Sequence, residues 1–183
     1  MPPGPYSIIY ADPPWPYNDH GFGKRPDGTI SGSFHPEAGR YTTMSLTDIM
    51  ALPIKDSCSP DAALFLWATS PNLPMGLMVI DAWGFKFKTV AFCWSKQTTT
   101  GKQVANLGQW TMGNVELCLL GTRGRPKRFR RDIKQLVIAE RTGHSRKPDE
   151  VRCRIVELLG DVPRLEMFAR QRTPGWDVWG NEC

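Results

Sequence analysis

Tyr6-Ser7-Ile8-Ile9-Tyr10-Ala11-Asp12-Pro13-Pro14-Trp15 decides the fold. Its first six residues form a short, mostly apolar run centred on Ile8, Ile9 and Tyr10, the length and composition of a buried strand. The strand stops where the prolines begin, because proline cannot donate to a ladder. The stretch therefore delivers a carboxylate, a stiff turn and an indole to the carboxyl end of a buried strand. In open α/β sheets that end is where ligands bind.

The chemistry this suits is transfer to an exocyclic amine. The 6-amino group of adenine is a poor nucleophile because its lone pair is delocalised into the ring. Asp12 and the carbonyl of Pro13 can each accept one N–H. The nitrogen then becomes more tetrahedral and its lone pair points away from both acceptors, toward a methyl donor. Pro13 and Pro14 hold that carbonyl by fixing φ near −65°. Trp15 offers a face for a splayed-out base, worth roughly 1–3 kcal/mol. No strong general base is needed, and most of the rate would come from positioning. The alternative for these four residues is a strand end with a proline-rich turn and a core tryptophan.

Working outward, 183 residues suit one domain with a full α/β core. No run of about 18 apolar residues occurs, so no membrane span is expected, and the N-terminus does not read as a signal peptide. The five cysteines are widely spaced, with no C-x-x-C pair or His/Cys cluster. That argues against zinc and against a disulfide framework, and fits a reducing cytoplasm. A net charge of +5 favours a polyanionic partner.

After the first strand, positions 16–40 form a long glycine-rich loop without a dinucleotide fingerprint or a phosphate loop. A loop this long reads as a gate over a pocket, or else as a tolerated insertion. Ser45 to Asp48 starts a short helix with a capping-box pattern. Ala62 to Thr69 is a second buried strand. Pro71 to Trp83 reads as a helix with Leu73, Leu77, Ile80 and Trp83 at helical spacing, Met75 and Met78 in the core, and Gly84 as its stop. Phe85 to Trp94 is a third strand, half exposed at its start. Ser95 to Gly113 is a second polar loop, either a gate or a solvated hairpin. Asn114 to Leu120 is a fourth strand, and Leu136 to Ala139 a short one. Pro148, Asp149 and Glu150 suit the first turn of a helix whose buried stripe is Val151, Ile155 and Leu158 or Leu159. Arg164 to Phe168 is a further strand, and Trp176, Val178 and Trp179 belong to the last.

Between them lies the most basic stretch. Six of the nine residues from Arg123 to Arg131 are cationic: Arg123, Arg125, Lys127, Arg128, Arg130 and Arg131. Within a basic loop over 122–135, they read as a phosphate-tracking surface or as a solvated charged face.

Asp12-Pro13-Pro14-Trp15 resembles the catalytic motif of the MT-A70-type adenine-N6 methyltransferases. Tyr41-Thr42-Thr43-Met44-Ser45, Leu64-Phe65-Leu66-Trp67, Trp94-Ser95-Lys96, Ser145-Arg146-Lys147-Pro148-Asp149-Glu150 and Leu165-Glu166-Met167-Phe168-Ala169-Arg170 fall in that family's order, at about its spacing. The resemblance covers essentially the whole chain. It implies a single catalytic domain with a Rossmann-like α/β fold. The sheet would be mostly parallel with helices on both faces, and the motif order permuted so that the donor-binding strand comes last. The reaction implied is methyl transfer from S-adenosylmethionine, giving S-adenosylhomocysteine, to the N6 of adenine, with no metal. DNA is favoured over RNA, and a non-catalytic nucleic-acid-binding subunit is the remaining alternative.

The resemblance also assigns roles. Asp12, Pro13, Pro14 and Trp15 would be catalytic. Tyr41, Trp94, Lys96 and Glu116 would lie near the substrate. Asp12, Lys147, Arg170, Arg172, Thr173, Asn181 and Glu182 would hold the donor, Lys147 through the carboxylate of its amino-acid tail. Many relatives carry histidine and asparagine in place of Arg172 and Thr173, and glutamine in place of Glu182. Donor affinity would then be weak, or a partner subunit would complete the site; a homo-oligomer or a partner subunit is the expected assembly.

Overall fold

The computed structural model describes residues 1–16, 23–24, 30–31, 43–106, 110–141 and 146–180. In chain order the strands are β1 (Tyr6–Ala11), β2 (Gly23–Lys24), β3 (Ile30–Ser31), β4 (Cys58–Ala68), β5 (Lys86–Gln97), β6 (Val115–Arg123), β7 (Leu136–Glu140), β8 (Arg164–Met167) and β9 (Asp177–Trp179). The helices are α1 (Leu46–Met50), α2 (Leu73–Ala82) and α3 (Asp149–Leu159). β2 and β3 pair only with each other; the other seven strands form one sheet in the order β7-β5-β6-β4-β1-β8-β9.

β1 lies inside this sheet, parallel to β4 on one side and to β8 on the other. β8 continues parallel into β9, and β5 into β7. Only β6 runs against its neighbours β4 and β5. The sheet is therefore mostly parallel, as the apolar runs of β1 and β4 imply for strands covered on both faces. Chain order reverses at β1, since the chain moves to β4 on one side and returns at β8 on the other. A crevice opens at such a point, outside the carboxyl ends of the strands. Ala11 is level with Leu66 and Met167, so Asp12 emerges one step beyond, beside Trp67 and Phe168.

Alternation along the strands divides the core. Ile9, Ala11, Leu64, Leu66, Leu119, Leu165 and Met167 face α1 and α2, where Ile49, Val79, Ile80 and Trp83 meet them. Ile8, Tyr10, Phe65, Trp67, Phe92, Trp94, Cys118 and Val137 face α3, through Val151 and Ile155. Helices thus cover both faces. Among the described residues, no helix is long and apolar enough to cross a membrane.

Several expected details shift. The buried stripe of α2 is Gly76, Val79, Ile80 and the following Trp83, not a line through Leu77. The helix is rotated because Gly76 faces the sheet. A β-carbon there would lie 3.0 Å from Leu119 Cδ1 and 3.3 Å from Ala68 Cβ, so the smallest residue sets the closest approach. Leu77 and Met78 point outward, and Met78 is 50% exposed rather than core. Pro148 caps α3 instead of opening it. β4 begins at Cys58, and a register shift near Phe87 leaves Phe85 buried while exposing Phe87. The second polar loop is largely a hairpin. β5 runs on to Gln97, and isolated bridges join Gln97 to Gln103 and Asn106 to Gly113.

Candidate active site

The turn after β1 is locked on three sides. The Trp15 amide donates back to the Pro13 carbonyl at 2.8 Å, and the Met44 amide donates to the Pro14 carbonyl at 3.0 Å. The Trp15 indole N–H donates to the Trp67 carbonyl at 3.0 Å, tying the turn to the end of β4. A carbonyl oxygen has two lone pairs, so the Pro13 carbonyl keeps one for a further donor.

Four charged side chains from four segments converge beside this turn. The Lys147 ammonium, just ahead of α3, lies 2.7 Å from Asp12 Oδ2 and 3.2 Å from Glu116 Oε2. Glu116 also pairs with Lys96 from the end of β5. Lys147 is 7% exposed and sits over the Trp67 ring at 5.5 Å, while Asp12 retains 27% exposure. Two carboxylates thus share one buried ammonium, and among the described residues the second ammonium pairs with Glu116. Burial would raise the Glu116 carboxyl, but the Lys147 and Lys96 charges outweigh it and hold Glu116 below the usual carboxylate range. Burial raises the Asp12 carboxyl above that range, with the Glu116 charge adding to the effect against Lys147. Burial opposes the charge on Lys147, yet both carboxylates keep its ammonium protonated beyond the ordinary lysine range. The environment therefore separates two chemically similar carboxyls.

Behind the charges stands an aromatic wall. The Trp67 indole N–H donates to the Tyr10 hydroxyl at 2.8 Å. Trp94 packs edge-on against Trp67 at 6.4 Å, donates its N–H to the Ala139 carbonyl at 3.0 Å, and carries the Lys96 ammonium 5.2 Å over its ring. Trp94 is 1% exposed and buttresses the site from within the core.

At the end of β8, Phe168 takes a positive φ of 59°, uncommon for a bulky side chain. Its ring meets Trp179 at 5.5 Å, and the Ala169 amide donates to the Trp179 carbonyl at 3.1 Å. A β-carbon on Gly180 would fall 2.2 Å from the Ala169 carbonyl oxygen, so only glycine lets the two strand ends close. The strained turn sets Arg170 near enough to help hold the Asp12 charge.

Arg172 and Thr173 lie elsewhere. They line a cavity of ≈ 550 Å³ between α3 and the connection from β8 to β9, with Arg152, Cys153, Arg164 and Trp176. Neither Asp12 nor Lys147 is in its lining. The Thr173 hydroxyl is buried with no partner among the described residues. Tyr41, Asn181, Glu182 and most of the first expected gate lie outside the described residues. The basic stretch is at the far end of the sheet. Arg123 pairs with Ala62 near the start of β4, whereas Glu116 pairs with Trp94 at the Asp12 end. Seven strand steps, about 23 Å, separate them. Arg123 donates to the Lys55 carbonyl at 2.7 Å, and Arg130 is engaged by Asp132 and Glu157, while Lys127, Arg128 and Arg131 are exposed.

The buried Arg152–Glu166 pair gave no sequence signal beyond a glutamate inside an apolar strand. Arg152 Nε donates to Glu166 Oε2 at 2.8 Å and its guanidinium stacks on Tyr10 at 5.4 Å, joining α3 to β8 and β1 behind the site.

A family model described as MT-A70 matches residues 6–182. The chain belongs to the MT-A70 family. It is 33% identical to the type II methyltransferase M.MunI from a Mycoplasma species, over all of this chain and 79% of that protein. It is 27% identical to a protein from Arabidopsis thaliana named N(6)-adenosine-methyltransferase MT-A70-like, over 98% of this chain and 24% of that one. It is also 27% identical to the human N(6)-adenosine-methyltransferase catalytic subunit METTL3, over 98% of this chain and 28% of that one. The chain thus spans about a quarter of these two longer relatives.

Proposed function

We propose that this protein is a single catalytic domain that transfers a methyl group from S-adenosylmethionine to the 6-amino nitrogen of adenine in DNA. The observation that carries the reading is Asp12, held beside a locked Pro13–Pro14 turn by a buried lysine it shares with Glu116. Membership in the MT-A70 family supports the reaction class. Full coverage of this chain by a type II methyltransferase supports DNA. The relatives named N(6)-adenosine-methyltransferases keep RNA as the second reading.

The residues fit a donor with a zwitterionic tail: Lys147 suits its carboxylate, and Asp12 and Glu116 suit its ammonium. When bound, the donor supplies an electrophilic methyl carbon on a sulfonium. Asp12 accepts one N–H of the exocyclic amine and the remaining Pro13 lone pair accepts the other, which turns the nitrogen lone pair outward. With such a donor held there, formation of the new N–C bond would be matched by breaking of the donor's C–S bond. The methylated nitrogen is then acidic, and its proton passes to Asp12 or to water. Trp15, pinned through its N–H, presents its ring as the stacking surface for the base. Adenine inside a duplex is inaccessible to this geometry, so the target base is flipped out or already single-stranded.

The test is tritium transfer from labelled donor to matched single- and double-stranded DNA and RNA, with Asp12→Ala in parallel. Label in 6-methyladenine that disappears in the variant supports the enzyme, and the preferred polymer decides between DNA and RNA. Polymer binding with no label, and no donor binding by calorimetry, would replace this reading with a non-catalytic binding subunit.

A further inference from the structure

The seven tryptophans differ sharply in exposure. Trp67, Trp83 and Trp94 are at most 1% exposed, Trp176 is 8% exposed, and Trp15 and Trp179 are half-buried. Trp110 is 98% exposed. An indole standing free in water adds nothing to the core. It lies in the hairpin between β5 and β6, rooted by the Asn106–Gly113 bridge at the Asp12 end of the sheet. Met112 beside it is 54% exposed, and Lys102 on the other arm is exposed. Glu116, six residues further on, touches Lys147, which touches Asp12. Six residues span at most about 20 Å, the height of about six stacked bases.

We propose that Trp110 stacks on a base within about six positions of the target adenine, so that the substrate is a strand with an unstacked base near the target: single-stranded nucleic acid or a locally opened duplex. This rests on the adenine-methylation reading above. Stacking suits an isolated exposed indole because every base has a π-face and no partner geometry need be prebuilt. The charge of +5 and the exposed Lys102 favour a polyanion over an apolar protein surface.

The experiment uses the full chain, a fluorescein-labelled adenine-containing single-stranded oligonucleotide, and the variants Trp110→Ala and Trp110→Phe. Loss of one stacked base should weaken binding about tenfold in Trp110→Ala, with Trp110→Phe close to wild type. The salt dependence of binding should keep its slope, since no phosphate contact is removed. Calorimetric donor affinity should not change. KM for the oligonucleotide should rise about tenfold in Trp110→Ala with kcat little changed. Acrylamide quenching of the wild type, dominated by the one fully exposed indole, should fall when oligonucleotide binds. If wild type methylates the oligonucleotide and Trp110→Ala binds and reacts equally well, this inference is wrong and the methylation reading stands. If wild type neither binds nor methylates nucleic acid, both fall.

Discussion

Replacing Lys147 with methionine keeps the aliphatic stem and removes the ammonium. Asp12 then loses its 2.7 Å partner, and Glu116 loses a 3.2 Å contact but keeps Lys96. Breaking a buried ion pair from one side costs about 3–5 kcal/mol. Asp12 is 27% exposed and partly hydrated, so the lower end, about 3 kcal/mol, applies. For a chain this size that is a fall of about 6–12 °C in Tm. The sign with pH follows from the ionised forms. Lys147 is raised by its partners, so its contribution is fully present below the ordinary lysine range and is lost only as pH rises through its folded value. In the variant, the stranded Asp12 escapes the penalty by taking up a proton. Its carboxyl, already raised by burial, moves higher still. Urea unfolding at pH 8 should therefore show the full loss, and at pH 5 a smaller one. Donor affinity by calorimetry should fall in the same variant at both values. A loss below about 1 kcal/mol at both pH values, or one independent of pH, would refute the claim that the buried Lys147 ammonium holds the Asp12 charge.

Glu116→Gln removes the charge that helps raise Asp12 and leaves Lys147 to Asp12 alone, so the acid limb of the pH–rate profile should move to lower pH than in wild type; a limb that stays put or moves up would count against Asp12 as the ionised acceptor. Trp15→Phe leaves the Trp67 carbonyl without its 3.0 Å donor and should cost about 1 kcal/mol in chemical denaturation, with a larger fractional loss in kcat than in folded population. Gly76→Val should destabilise by about 1–3 kcal/mol, because its β-carbon alone would meet Leu119 at 3.0 Å; unchanged thermal stability would mean that α2 can lift off the sheet. Thr173→Val removes a buried hydroxyl without a described partner and should be neutral to stabilising; if donor affinity drops in calorimetry, Thr173 reaches the donor after all.

Fold class was legible because β1 and the second part of β4, Ala62 to Ala68, are largely apolar runs ended by turn residues, and that pattern allows few arrangements besides a sheet covered on both faces. The short helix after Ser45 was legible from its cap, and the structure shows the Ser45 hydroxyl accepting the Asp48 amide at 3.1 Å. The phase of α2 was legible only in part. Ile80 and Trp83 are buried and Leu73 packs on the core as the spacing implies, but Leu77 points outward, because the sheet selects the face where Gly76 permits close approach. Trp94 entered through the family resemblance alone; the apolar strand end Phe92-Cys93-Trp94 already suggested burial, and the pleat packs its ring edge-on against Trp67.

The charge network and the basic run show opposite limits of local reading. Asp12 and Lys147 are 135 positions apart, and no rule of spacing links them. Asp12 was read from the turn after β1 and Lys147 only through the family resemblance, and topology brings them together because both lie at the carboxyl end of the parallel strands. The basic run was conspicuous as a charge count, but its place depends on the direction of β6. Because β6 alone runs antiparallel to its neighbours, it carries Glu116 into the site and delivers Arg123 to the opposite end of the strands. A strand bound at Asp12 and also touching Lys127 or Arg128 would have to pass down the flank of the sheet, about 23 Å. Replacing Lys127, Arg128 and Arg131 together with glutamine distinguishes the cases. An oligonucleotide of about four nucleotides is too short to span that distance, so its binding should be unaffected. One of about twenty should bind more weakly and with a shallower salt dependence if that end is part of the path. Equal binding of both lengths to the variant and the wild type would leave the run as a solvated face.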